Sequence, residues 1–426
     1  MAALCSSTSL FFSQPNERAF TVFSQPQRYI FKFCVNASSS EAATVSEVVS
    51  RTQTTSFGFK NLTETFWVDV HGAEEEALCV ELDRPLGKTE VENVAIRVEL
   101  SNGCVGWGEA AGPGKLQLQK GLGKAKEACE FLRKSSPMTL NLVLEQIGAI
   151  LPGQEFASVR AGVEMALIDA VANSIDVPLW RLFGGVSNTL TTAITIPIIS
   201  PAKASALAAT YFGKGFTTIR LSIGSNRQAE LEVIKAIRAA QPHCSFILDG
   251  NGKYTSQEAI MVLEKLNEMD VSPVLFEQPV REDDWRGLAD LSAIARGKYG
   301  IHVAADESCK TLSDVRRVVE ENIVDVINIK LAKFGVLGAL QVIDIARKSG
   351  LNLVMDSLVE TRLATGFAGH LAAGFGCFKY VNLDAPFLLS EDPVFGGYEV
   401  SGPVYSFTNA RGQGGFLKRI NVARKL

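Results

Sequence analysis

Short apolar runs recur between Ser245 and Gly335, each ending on a charged residue: SFILDGN at Asp249, PVLFEQP at Glu277, HVAADES at Asp306 and DVINIKLAK at Lys330. The intervals between these charged positions are 28, 29 and 24 residues, the length of one strand, one helix and their loops. The intervening text has helical periodicity, as in TSQEAIMVLEKLNEMD, where Thr255 and Glu258 form a capping box. This predicts a βα repeat. If the strands are parallel, all four charged residues lie at carboxyl ends on one face of the sheet, where α/β folds keep their sites. Three carboxylates that converge call for a cation, because like charges at close range repel unless a proton or a metal neutralises them.

The alternation extends beyond this stretch. Eight runs read as strands, LTTAITIPI, TTIRLSI, SFILD, VLFE, IHVAAD, DVINIK, LNLVMD and KYVNLD. Between them lie helices such as QAELEVIKAIRAA and GALQVIDIARKSG, the latter ended by Gly350. Eight parallel strands closing on themselves predict an α/β chain with a TIM-like barrel over residues 187–390. Upstream, TFWVDVHGAE, EALCVELDRPL and VENVAIRVELSNGCVGWGEA alternate as an antiparallel sheet with Ser101-Asn102-Gly103 as a hairpin turn. GKAKEACEFLRK, NLVLEQIGAIL and ASVRAGVEMALIDAVANSI then carry the helical pattern, so residues 60–186 form an α+β block. The Gly-rich tail, 391–426, has too few apolar residues for its own core and is expected to pack on that block.

Composition narrows the function classes. A chain of 426 residues with 46% hydrophobic content can bury a large core in more than one domain. Its net charge of −4, with both signs interspersed, gives no basic footprint for nucleic acid. No apolar run reaches the roughly 18 residues that a membrane span needs. Eight scattered cysteines without a CxxC pair read as buried thiols in a reducing compartment, and four histidines leave little material for a His-based centre. Oligomeric state stays open, a homo-oligomer included. Residues 1–45 stand apart: up to Ser40 there is one acid, Glu17, against Arg18, Arg28 and Lys32, with eight serines. Lacking a continuous apolar h-region, the segment is expected to be a transit peptide, chloroplast rather than mitochondrial because Ser outnumbers Arg.

The ordered set VGWGEA (105–110), RAGVEMALIDA (160–170), LDGN (248–251), FEQP (276–279), ADES (305–308) and NIKLAKFG (328–335) resembles the enolase superfamily, muconate-lactonizing-enzyme subgroup. Within it the chain is most similar to dipeptide epimerases that act on substrates such as L-Ala-D/L-Glu. The resemblance implies an α+β capping domain on a (β/α)7β barrel, and abstraction of a proton alpha to a carboxylate. It implies Mg²⁺ as cofactor, held by Asp249, Glu277 and Asp306, with Asn251 and Glu307 orienting those carboxylates. Hard, all-oxygen ligation suits a cation that must stabilise developing negative charge. Lys330 corresponds to the acid/base lysine that ends the sixth strand, and a neighbouring metal would lower its pKa toward neutrality. Lys333 corresponds to a supporting charge. The implied partner is a dipeptide or an N-acyl amino acid, with Thr195, Arg220, Ser357, Asn382 and Asp384 at substrate-contact positions.

Four positions and one loop depart from that pattern. The epimerases' K-x-K on the second strand is Arg220-Leu221-Ser222 here, so Ser222 occupies the place of the second catalytic lysine. Arginine is not deprotonated in proteins, and an unactivated serine hydroxyl is no general base. The D-x-D of the eighth strand is Asn382-Leu383-Asp384, with one charge lost, and Asp356 stands where a glycine is usual. The segment DRPLGKTEVENV is also shorter than the usual substrate-covering loop. Two expectations follow: a Mg²⁺ isomerase, an epimerase or a one-base catalyst (elimination, cycloisomerisation), or a catalytically silent metal-binding paralogue.

Overall fold

The computed structural model describes residues 57–84, 87–112 and 115–417. The segment expected to act as a transit peptide lies outside the described residues. Eight short strands follow one another round a parallel sheet in sequence order: Ile194–Ile196, Thr218–Ser222, Ser245–Asp249, Leu275–Glu277, His302–Ala305, Val326–Lys330, Asn352–Asp356 and Tyr380–Asn382. The last strand returns to the first, where Ala193 donates its N–H to the Val381 carbonyl at 2.9 Å and Leu383 donates to Thr192 Oγ1 at 2.8 Å. The α/β barrel expected from the eight runs is present. The first run, however, divides. Thr189–Thr191 pairs antiparallel with Val404–Phe407, and only Ile194–Ile196 joins the barrel. Alternation continues through both pieces, so periodicity cannot register the change of partner.

Period-two alternation sets the contents of the barrel. Ala193, Ile247, Leu275, Ala304, Val326 and Val354 form a buried apolar cluster. Asp249, Glu277, Asp306 and Asp356 each lie two residues beyond a member of that cluster and therefore point the same way. Arg220 and Asn328 lie two residues short of Ser222 and Lys330, so each of these pairs also shares a face. Apolar side chains thus close the lower interior, and polar ones begin only toward the strands' carboxyl ends.

The N-terminal sheet, Val70–Arg84, Gly87–Leu100 and Val105–Ala110, is antiparallel throughout. Behind it lies the helix Ala157–Ser174, fourteen of whose eighteen residues are buried, so it is apolar on every side and runs through the core rather than over the surface. The strand approaches it so closely that a Cβ at Gly106 would sit 2.1 Å from the Ala166 carbonyl oxygen, and one at Gly108 would sit 1.9 Å from that of Gly162. Only glycine tolerates that approach. In the C-terminal segment, Val394 and Leu417 pack with Leu78, Val80, Ala95 and Trp107. Among the described cysteines, Cys129, Cys244 and Cys309 are buried but Cys79 is exposed.

Candidate active site

Strand register puts the charged groups at two adjoining levels of one mouth. Ser222 pairs with Asp249 and Asp249 with Glu277, while Lys330 pairs with Asp356 and Asp356 with Asn382. The second and sixth strands are four apart in a ring of eight, so Ser222 and Lys330 face each other across the barrel. Asp356 stands beside Lys330 on the neighbouring strand.

Arg220 links the first group of carboxylates. Its guanidinium donates to Asp249 Oδ2 at 2.5 Å and Glu277 Oε1 at 3.3 Å, and lies 3.9 Å from Asp356 Oδ2. Asn251 adds two donors to Asp249, from its N–H at 3.0 Å and from Nδ2 at 2.7 Å. Lys330 donates to Asp306 Oδ2 and lies 3.2 Å from Asp356 Oδ2. Lys333 reaches Asp306 Oδ1 at 2.7 Å and the Asn328 carbonyl at 3.0 Å. Asn328 Nδ2 bridges Glu277 at 2.6 Å and Asp356 at 3.0 Å, and Asn382 Nδ2 donates to Asp356 Oδ1 at 2.8 Å. Ser357 contributes its backbone N–H to Asp356 at 2.8 Å, and Thr195 its own to Asp384 Oδ2 at 2.7 Å.

Glu277, Asp306 and Asp356 have carboxylate oxygens mutually within 4.8 Å, forming a buried group able to hold a metal ion. Asp249, the third member of the trio expected from the sequence, is turned to Arg220 and Asn251 instead. The donors suit a hard divalent cation, being carboxylate oxygens with two buried neighbours, Glu307 Oε2 and Asn328 Oδ1, that lack a hydrogen-bond partner among the described residues.

Four carboxylates, Asp249, Glu277, Asp306 and Asp356, face three cations, Arg220, Lys330 and Lys333. With Glu307 and Asp384 beside them, the carboxylates outnumber the cations. Burial pushes the Glu277 carboxyl up to about 8 against the pull of Arg220. Burial also raises Asp249, with Arg220 opposing. At Asp306 the burial penalty is outweighed by Lys333 and Lys330, which hold it well below the usual carboxylate range, and at Asp356 it is outweighed by Lys330 and Arg220. Burial alone would lower the Lys330 ammonium, but Asp356, Asp306 and Glu277 reverse the sign and hold it well above the ordinary lysine range. These acids stabilise the charged form of Lys330, and the lowering expected of a neighbouring metal would act against them.

Residues 203–417 match the family described as enolase C-terminal domain-like, and residues 87–184 match the mandelate racemase/muconate lactonizing enzyme N-terminal domain. A curated Populus trichocarpa protein, named L-Ala-D/L-amino acid epimerase, is 58% identical over 378 residues, covering 87% of this chain and 90% of that protein. The chain belongs to the mandelate racemase/muconate lactonizing enzyme family. The substrate-liganded Bacillus subtilis L-Ala-D/L-Glu epimerase superposes with a TM-score of 0.75 at 28% identity, covering 83% of this chain and all of that one. An Enterococcus faecalis dipeptide epimerase, solved with Mg and the dipeptide L-Leu-L-Tyr, gives a TM-score of 0.73 at 27% identity, over 82% of this chain and 99% of its own.

Two motif acids of the family's N-terminal domain have a role that the sequence reading missed. Glu109, in VGWGEA, accepts from the Thr361 N–H at 3.0 Å, from Thr361 Oγ1 at 2.6 Å and from the Ala364 N–H at 3.2 Å, which caps the barrel helix Arg362–Phe375. Glu164, in RAGVEMALIDA, accepts from the N–H groups of Val336 and Leu337. Both satisfy orphan donors at helix starts from the other domain. A buried glutamate within an apolar helix was the available signal.

Proposed function

We propose that this protein is a Mg²⁺-dependent isomerase that removes a proton alpha to the carboxylate of a dipeptide or N-acyl amino acid, with Lys330 as its base. The observation that carries this is Lys330 itself, half-buried at a strand end among Asp306, Asp356 and Glu277 and facing Ser222 across the mouth. The relatives' names, epimerases of dipeptides, supply the substrate class. Glu277 and Asp306 hold the cation, with Asp249 or Asp356 as the third ligand. When bound, the ion supplies positive charge that makes the alpha proton of a carboxylate more acidic. Arg220 fixes Asp249 and Glu277, and Lys333 fixes Asp306 from the far side. Thr195, Ser357, Asn382 and Asp384 line the substrate side, where Asn382 and Asp356 together present one carboxylate.

Lys330 serves one face of the substrate. The facing position is Ser222, so proton removal and return on the Lys330 side are faster than inversion. A catalytically silent, metal-binding protein is the second reading, favoured by the clamp of Asp306 and Asp356 that keeps Lys330 charged. Residues 1–45 direct the chain to the plastid in this proposal. Incubation with Mg²⁺ and a panel of dipeptides, followed by chiral analysis of the C-terminal residue, separates the readings: slow inversion supports the isomerase, and its absence together with absent proton exchange supports the silent protein.

A further inference from the structure

Lys330 ends its strand, and Lys333 lies on the turn of chain that follows, Leu331–Phe334, which is bounded on its other side by Gly335. Gly335 breaks the helix Leu331–Ser349 with φ 73° and ψ 172°, a backbone conformation that only glycine adopts readily. Such a break is a hinge unless something holds both sides of it. Three side chains of the N-terminal domain do. Gln154 Nε2 donates to the Lys333 carbonyl at 3.1 Å, and Arg160 reaches the Phe334 carbonyl at 3.4 Å. Glu164 Oε2 accepts from Val336 N at 2.5 Å and from Leu337 N at 3.3 Å, replacing the hydrogen bonds that the break removes. Arg160 is itself anchored on the Leu151 and Gly153 carbonyls at 2.6 and 3.0 Å. The space is filled to the limit, since a Cβ at Gly335 would lie 2.9 Å from Glu164 Oε2 and 3.1 Å from Arg160 Nε. Beside the grip a cleft of about 360 Å³ opens between the domains, lined by Gln154, Arg160, Glu164, Lys333 and Phe334.

We infer that Glu164, with Arg160, is a positioning residue: from the N-terminal domain it fixes the turn that aims Lys330 and Lys333 into the mouth of the barrel. The inference rests on Lys330 acting as the base. A displacement of about 1 Å at a catalytic group lowers turnover about 10²-fold, so Glu164→Ala should lower kcat by that order and leave KM nearly unchanged. Glu164→Gln keeps an oxygen that can accept from both N–H groups and should recover most of the loss. Amide hydrogen exchange at Val336 and Leu337 should quicken about tenfold or more in Glu164→Ala, and return toward the parent rate in Glu164→Gln. If Glu164→Ala does not fold, Arg160→Met removes the grip on Phe334 and is read in the same way. Unchanged exchange at these amides, or equal turnover by the Ala and Gln variants, overturns the inference. If the parent turns over no dipeptide, that failure belongs to the proposed function, and labelling of Lys330 and Lys333 by an acylating reagent decides instead. Faster labelling in Glu164→Ala than in the parent and the Gln variant supports positioning; equal labelling overturns it.

Discussion

An Arg220→Met substitution keeps the apolar stem and deletes the charge, so Asp249 and Glu277, each 1% exposed, lose their shared donor. Removing one partner of a buried ion pair costs about 3–5 kcal/mol, because the other charge is left uncompensated. The pH decides how much of this is felt. Glu277 is raised from 4.5 to about 8, and a carboxyl raised on folding favours the folded state below its unfolded value and loses that contribution as pH rises through the folded one. Without Arg220 the value rises further, so Glu277 can stay protonated over a wider range. The gap between variant and parent should therefore widen above about pH 8, by up to about 1.4 kcal/mol per pH unit, on top of the loss at Asp249 and Asp356 that is already felt at lower pH. Mg²⁺ should stabilise parent and variant alike, a ligand at a hundred times its Kd adding about 2.7 kcal/mol to the state that binds it. Urea denaturation at several pH values, with EDTA or Mg²⁺, measures all of this. A gap that is the same at every pH, or absent at high pH, would refute the charge balance described for the site.

Glu277→Ala removes a buried carboxylate common to both candidate ligand sets and should abolish the Mg²⁺-dependent rise in melting temperature expected of the parent, read by thermal-shift titration. Ser222→Lys places an amine opposite Lys330 and should raise epimerisation by part of the roughly 10²–10⁴-fold that a positioned acid/base supplies, the shortfall coming from repulsion by Arg220. Fusion of residues 1–60 to a fluorescent reporter should deliver it to plastids, whereas cytosolic fluorescence would contradict the transit-peptide proposal.

The barrel was legible because its apolar runs end on charged residues at regular spacing, and period-two alternation then dictates which side chains share the interior. What stayed hidden depends on contacts between strands and between domains. Asp356 pairs with Lys330 only through register, and Asp249 turns to Arg220 because that guanidinium reaches across from the neighbouring strand. The sign of the Lys330 shift needed the number of carboxylates around it, which spacing along the chain does not give. Glu109 and Glu164 cap helices 252 and 172 residues away, so no local pattern identifies their partners. Thr189–Thr191 shows the same limit in a strand, because alternation names a face and never a partner.

The most direct test of the proposed chemistry is proton exchange at the alpha carbon. The parent and Lys330→Ala are each incubated with Mg²⁺ and a dipeptide panel in D₂O, and deuterium incorporation and configuration are followed by NMR. Lys330 as sole base predicts incorporation with retained configuration, inversion slower by about 10²–10⁴-fold, and neither reaction in Lys330→Ala. Exchange that survives Lys330→Ala, or inversion by the parent as fast as exchange, would contradict it.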